Sequence, residues 1–164
     1  MTLHEIDTPA LLLDLDAMGR NLAKMAAFFG NGPTKLRPHY KNHKCPALAS
    51  RQIAAGAIGM TCATLSEAEA LVSNGITNLL LSGEVAGDRK IQRFIELARQ
   101  ADVIAAVDDA CVVEAVAAAA RQKNCPVSVV VDIDVGLKRT GIKPGEPFSD
   151  WPERCWRKGF RFAG

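Results

Sequence analysis

Apolar residues in this chain fall into short runs separated by longer amphipathic stretches. Strand-like runs begin near Ala10 (Ala-Leu-Leu-Leu-Asp), Leu36, Ala57 (Ala-Ile-Gly-Met), Asn78 (Asn-Leu-Leu-Leu-Ser), Val103 (Val-Ile-Ala-Ala-Val) and Val127 (Val-Ser-Val-Val-Val-Asp), about every 20 to 26 residues. The first five are followed by helical patterns. Leu22, Met25, Ala26 and Phe29 make one apolar stripe and Ile91, Phe94, Ile95 and Ala98 another, both at i, i+3, i+4, i+7 spacing, which predicts two core-facing helices. Asp16, Asp88 and Asp109 are candidate N-caps, Thr64-Leu65-Ser66-Glu67 reads as a capping box, and Asn74-Gly75 supplies a C-terminal stop.

Alternating strands and helices predict an α/β fold with a parallel sheet covered by helices. The period fits either a doubly wound open sheet or a (β/α)8 barrel. Neither a Gly-x-Gly-x-x-Gly turn after the first strand nor a Gly-x-x-x-x-Gly-Lys-Ser/Thr loop is present, so a dinucleotide or P-loop phosphate site is unsupported. A complete (β/α)8 barrel takes about 250 residues, whereas 164 residues hold about six βα units and the start of a seventh strand at Phe160-Arg161-Phe162. The expectation is a truncated barrel over residues 1–164, the N-terminal part of a larger protein. Residues 146–159 are irregular: Pro147, Trp151, Pro152, Cys155 and Trp156 interrupt the place of a sixth crossover helix. This stretch reads either as a loop with an irregular turn or as a locally altered reading frame that resumes at Gly159-Phe160-Arg161.

The candidate chemistry begins with Arg37-Pro38-His39-Tyr40-Lys41-Asn42-His43-Lys44, five basic or imidazole side chains in eight residues at the end of a predicted strand. Strand alternation puts Arg37, His39 and Lys41 on one face and Leu36, Pro38 and Tyr40 on the other. On a barrel's inner face, neighbouring cations and desolvation would pull Lys41 below the ordinary lysine pKa of about 10.4, giving a neutral amine able to attack a carbonyl. The competing reading is a solvated basic patch. A nucleic-acid surface fits poorly, because the cluster lacks interleaved aromatics and the net charge is only +2.

A second constellation runs Asp132-Ile133-Asp134-Val135-Gly136-Leu137-Lys138-Arg139-Thr140-Gly141. A buried strand leads into a glycine-bounded loop that presents Arg139, a permanent cation suited to a phenolate or carboxylate oxygen. The plainer alternative is an arginine paired with Asp132 or Asp134. Asp14, Asp132 and Asp134 also offer counter-charges for Arg37 and His39, ordering the basic layer rather than performing acid–base chemistry.

Five cysteines, at 45, 62, 111, 125 and 155, form no Cys-x-x-Cys pair and no metal-finger spacing, which predicts free thiols in a reducing compartment. No apolar run approaches a membrane span and no secretory leader is visible, so a cytoplasmic, soluble protein without a membrane partner is expected. His4 reads as a surface residue.

Taken together, Asp7-Thr8-Pro9-Ala10-Leu11-Leu12-Leu13-Asp14, the 37–44 segment, Thr61-Cys62-Ala63-Thr64-Leu65-Ser66-Glu67-Ala68-Glu69 and the 132–141 segment resemble, in order and spacing from about Ile6 to Lys143, the D-threonine aldolase and D-serine dehydratase group. That resemblance implies a (β/α)8 barrel of the alanine racemase N-terminal type with pyridoxal 5'-phosphate as cofactor. It implies that Lys41 carries the cofactor and acts in catalysis, and that Arg139 contacts its phenolic oxygen. His39 and His43 match further motif positions as cofactor-binding candidates. Asn42 stands where a threonine is common in the group.

The implied reaction is that of a lyase on a small-molecule D-amino acid: retro-aldol cleavage of D-threonine or a related β-hydroxy-D-amino acid to glycine and an aldehyde. D-serine dehydratase chemistry is the first alternative, and a non-catalytic pyridoxal-phosphate homeostasis protein or an inert truncation product are others. Relatives also imply a divalent metal, a C-terminal β-domain and a homodimer. That domain is expected to be absent here with the metal ligands it supplies, which makes the chain an inactive N-terminal fragment.

Overall fold

The computed structural model describes residues 2–145, 151 and 159–162, in two units, residues 1–35 and 36–164. The first unit holds a short 3-10 turn, Leu3–Glu5, and helix α1, Leu15–Gly30. The α1 N-cap is Asp14, whose carboxylate accepts the Ala17 N–H at 2.8 Å; Asp16, the expected cap, lies inside the first turn. No residue of α1 is buried, so the Leu22-Met25-Ala26-Phe29 stripe does not form a core within this unit, which has no second long element to cover it. The strand expected at Ala10 is not formed among the described residues: 10–14 is irregular chain leading into α1.

The second unit is a parallel sheet of five strands, β1 Met60–Cys62, β2 Asn78–Leu81, β3 Asp102–Val107, β4 Ser128–Val131 and β5 Arg161–Phe162, in the order β1-β2-β3-β4-β5. Helices α2 Pro46–Ala54, α3 Leu65–Val72, α4 Asp88–Ala98 and α5 Ala110–Gln122 lie between or before them in the chain. A doubly wound sheet reverses its strand order at a switch point; this one advances steadily. Right-handed crossovers in a steadily advancing sheet leave every helix on the same face. The architecture is that of a partial α/β barrel, as expected.

Burial records this sidedness. Met60, Cys62, Leu79, Leu81, Val103, Ala105, Val107, Val127 and Val129 are buried with Leu71, Phe94, Ile95 and Val116 of the helices in one core. The alternate positions Thr61, Leu80, Ile104, Ser128 and Val130 are half-buried. Each large apolar side chain fully removed from water contributes about 1.5–3 kcal/mol, so Phe94 and Ile95, with no exposure, are what fixes α4 to the sheet. The α4 stripe is thus core, as its spacing predicts. Asp88 is the first residue of α4 rather than its cap; Gly87 holds that position and offers no side-chain acceptor.

Two caps behave as expected. Asp109 accepts the Cys111 and Val112 N–H groups at 2.8 and 3.1 Å, and Thr64 accepts the Glu67 N–H at 3.3 Å. The reciprocal bond differs: the Glu67 carboxylate reaches past Thr64 to the Ala63 N–H at 2.8 Å. Cys45, Cys62, Cys111 and Cys125 are free thiols. No helix among the described residues is long and apolar enough to cross a membrane. The irregular 146–159 stretch lies outside the described residues except Trp151, which is buried, and Gly159, which is exposed.

Candidate active site at the C-terminal edge of the sheet

Residues 36–39 run beside β1 in parallel: Ile58 N–H donates to the Leu36 carbonyl at 3.0 Å, Thr61 N–H to the Pro38 carbonyl at 2.8 Å, and His39 bridges Thr61. The chain then leaves the sheet. Tyr40–Asn42 form a 3-10 turn whose Tyr40 carbonyl accepts the His43 and Lys44 N–H groups at 3.2 and 2.9 Å. Lys41 therefore sits in a turn just beyond the C-terminal edge, not on the strand as alternation predicts, because local hydrogen bonds around Tyr40 outcompete a ladder. Tyr40 is buried at 3 % exposure and anchors the turn, while the Lys41 side chain is exposed and its Nζ has no partner among the described residues.

Arg37 does not join Lys41. Its Nη1 donates to Asn78, at 2.6 Å to Oδ1 and 3.2 Å to the backbone carbonyl, at the N-terminal start of β2. Burial lowers its pKa from the ordinary value, offset in part by Asp102 and Cys62. The guanidinium passes over Gly59, where a Cβ would lie 2.2 Å from Nη1. The basic segment is thus split between the two edges of the sheet.

His39 is half-buried, and its Nδ1 accepts the Lys41 backbone N–H at 3.4 Å. Desolvation, then the Lys41 charge, push its pKa below the usual histidine value; Glu67 and a hydrogen bond with the Thr61 backbone oppose them. His43 uses both ring nitrogens: Nδ1 accepts the Cys45 N–H at 3.1 Å, which leaves Nε2 to donate to Gln52 Oε1 at 3.1 Å. Its ring also stands edge-on to Tyr40, with centroids 5.3 Å apart. His43 thereby shapes the turn.

Arg139 belongs to the loop after β4, at the same edge. Asp134 Oδ1 accepts the Gly136 and Lys138 N–H groups, both at 2.9 Å. Those backbone donors hold its carboxyl below the usual carboxylate range. Asp132 Oδ2 accepts from Thr140 Oγ1 at 2.9 Å, and Asp108 Oδ2 accepts the Gly141 N–H at 2.9 Å. Gly141, at φ +95°, packs so tightly under the loop that a Cβ would lie 2.4 Å from the Asp134 nitrogen. All these aspartates serve the loop's frame. Among the described residues, neither the pairing of Arg139 with Asp132 or Asp134 nor a counter-charge role for Asp132 and Asp134 toward Arg37 and His39 is realised, because backbone and hydroxyl donors lie nearer. Arg139 is exposed and unpaired among the described residues.

Four strand intervals separate the 36–39 segment from β4. At about 4.8 Å each that is roughly 19 Å along the sheet, which barrel curvature shortens across the inner space. An amine and a guanidinium so placed, both without partners, suit a ligand that carries a carbonyl and an anionic oxygen. Sequence reasoning named Asp132 but missed its neighbours on this rim: Glu84, Asp108 and Asp132, each half-buried, bring one carboxylate oxygen apiece within 4.8 Å of one another. An acidic residue just past each of three successive strands was the available signal.

Residues 13–164 match the family described as alanine racemase, N-terminal domain. The chain belongs to that family. Within it, the chain is 41 % identical over 140 residues to a D-threonine aldolase of an Arthrobacter species, covering 85 % of this chain and 37 % of that protein. It is 37 % identical over 141 residues to the D-threo-3-hydroxyaspartate dehydratase of Delftia sp. (strain HT23), covering 86 % of this chain and 37 % of that protein. The crystal structure of D-threonine aldolase from Filomicrobium marinum superposes with a TM-score of 0.95 at 43 % identity, covering 99 % of this chain and 44 % of that one. The alanine racemase domain seen here thus spans about two fifths of the length of these relatives.

Proposed function

We propose that the chain is the cofactor-bearing part of a pyridoxal-phosphate-dependent lyase, whose reaction is retro-aldol cleavage of a β-hydroxy-D-amino acid to glycine and an aldehyde. The observation that carries this reading is the presence, on one sheet edge, of an exposed amine at Lys41 and an exposed guanidinium at Arg139, each without a partner among the described residues. The resemblance of the chain to D-threonine aldolases supports it.

The donor set fits the cofactor. Lys41 would hold it covalently through Nζ, and Arg139 would donate hydrogen bonds to its phenolic oxygen. When bound, pyridoxal phosphate withdraws electrons from the substrate's α-carbon so that a bond to that carbon can break. Lys41 Nζ, once free, accepts or returns a proton at the same rim. The His39 Nδ1 lone pair is occupied by the Lys41 N–H, which places the imidazole as support for the turn. The implied divalent metal has no ligand set assigned among these residues: two of the three rim carboxylates are engaged by Thr140 and Gly141, and no step is routed through a metal.

The dehydratase relative favours a second reading, β-elimination from a β-hydroxy-D-amino acid. Borohydride trapping of pyridoxal phosphate followed by peptide mapping is expected to label Lys41, and Lys41→Ala to abolish the bound chromophore. Label on Lys44 or Lys138 instead overturns the assignment. In the whole protein, glycine plus aldehyde from D-threonine supports the aldolase, a keto acid plus ammonia the dehydratase, and binding without turnover the non-catalytic carrier. A lack of both binding and turnover marks an inert product.

A further inference from the structure

Among the described residues, Glu67 is the one charged side chain in the buried set, at 8 % exposure. Its two oxygens face different elements. Oε2 accepts the Ala63 N–H at 2.8 Å, where the chain leaves β1, and Oε1 lies 3.6 Å from Lys44 Nζ on the turn that carries Lys41. Lys44 pairs with it from a left-handed backbone, φ +49°. That conformation is unfavourable for a non-glycine residue, and glycine is the residue a turn alone would select. A lysine there, 68 % exposed and tied to a buried carboxylate, marks a contact that the backbone bends to make.

We infer that Glu67 is the positioning residue of the Lys41 turn: a buried carboxylate that, through Lys44, holds the turn's backbone so that Lys41 projects from the sheet edge at a fixed place. This rests on the assignment of Lys41 above. The groups around the carboxylate are His39, Tyr40 and Lys44 on the turn and Cys62 on β1, with no second acid among them. Its charge reaches His39, whose pKa it raises, and His39 in turn receives the Lys41 N–H. Among the described residues Glu67 makes no contact with the Lys41 amine, so it acts through its neighbours.

A bare helix-capping role makes a different prediction. Glu67→Gln retains an oxygen for the Ala63 N–H and removes only the charge. If capping were all, Lys41 would not respond. The test compares the wild-type chain, Glu67→Gln, Lys44→Met and, as a control on an exposed pair, Glu69→Gln. Each is mixed with free pyridoxal phosphate, whose aldehyde condenses with an amine with loss of water, and the C=N bond is reduced by borohydride. Peptide mass spectrometry reads the rate of labelling at Lys41 and the share at Lys44; NMR reads the His39 titration midpoint.

Expected are a fall of about fivefold or more in the Lys41 rate for Glu67→Gln and for Lys44→Met, equivalent to about 1 kcal/mol. The His39 midpoint should drop in Glu67→Gln, and Glu69→Gln should match wild type in both readouts. Lys44→Met lies at an exposed position and tests the inference even if Glu67→Gln does not fold. A Lys41 rate that is unchanged in the folded variants overturns the inference whatever His39 does. Absence of label at Lys41 in the wild type overturns the lysine assignment itself, and the inference with it.

Discussion

Gly59→Ala should destabilise the fold severely, although the residue lies on the far side of the sheet from the candidate site. An added methyl would sit 2.2 Å from Arg37 Nη1, 2.3 Å from the Asn78 carbonyl oxygen and 2.7 Å from Asn78 Oδ1. The carbonyl belongs to the first residue of β2, which is in register with Asp102 of β3, so it cannot retreat without disturbing the ladder. Overpacking of this kind costs about 1–3 kcal/mol. Ejecting Arg37 also forfeits hydrogen bonds of 2.6 and 3.2 Å, which for a charged donor are worth about 1.5–3 kcal/mol and less here because Arg37 is part-exposed. Together roughly 2–4 kcal/mol is expected, out of a typical total of about 5–15. Urea unfolding reads this as a midpoint lowered by about 1 M or more. The mechanism itself is tested by a cycle with Arg37→Ala: if the methyl acts by displacing the guanidinium, the two costs are not additive, with a coupling of about 1 kcal/mol or more. A Gly59→Ala midpoint within about 0.5 kcal/mol of wild type, or strict additivity, would refute the argument.

Three further outcomes are expected. Asp109→Ala removes the acceptor for two N–H groups at the start of α5 and should cost about 1–2 kcal/mol in urea unfolding, with Asp109→Asn nearly neutral. Burial pushes the Cys62 thiol up to about 12, so a thiol reagent at pH 8 should modify exposed Cys111 and leave Cys62 untouched until the protein unfolds. The folded-state pKa of His39 lies below its unfolded value of about 6.5, so the unfolded chain binds more protons between the two. Stability should consequently fall as pH drops below about 6.5 and be flat in this respect above it, and His39→Asn should remove that part of the slope.

The core was legible because it is local. Apolar runs at Asn78, Val103 and Val127 mark β2, β3 and β4 to within a residue, and Asp109 and Thr64 announce their helices. The site was legible only in part. His39-Tyr40-Lys41 has the alternation of a strand, but the Tyr40 carbonyl and His39 Nδ1 close a turn, so Lys41 reaches the edge by a route that period-2 reasoning misses. Asp14 and Asp16 are both plausible caps by type, and only backbone geometry selects Asp14. The partner of Arg37 is Asn78, 41 residues away, which no local pattern encodes.

Acidic residues crowd the rim where Arg139 stands, yet none among the described residues pairs with it. The magnitudes explain why. An exposed ion pair contributes about 0–1 kcal/mol, whereas a carboxylate that accepts a hydrogen bond as a charged group contributes about 1.5–3 kcal/mol. Asp108 takes Gly141 and Asp132 takes Thr140, each choosing the stronger option, while Asp134 accepts two backbone N–H groups. Their charges thereby order the loop and leave the guanidinium unspent. On the other side of the sheet the same economy operates with the sign reversed: Lys44 satisfies the buried Glu67 and Arg37 is drawn to Asn78, so that of the cations in the 37–44 segment Lys41 is the one carried to the C-terminal edge with its Nζ unpartnered among the described residues. On the function proposed above, Lys41 Nζ and the Arg139 guanidinium, both unpartnered among the described residues, would meet an anionic carbonyl compound without either having to break an existing bond.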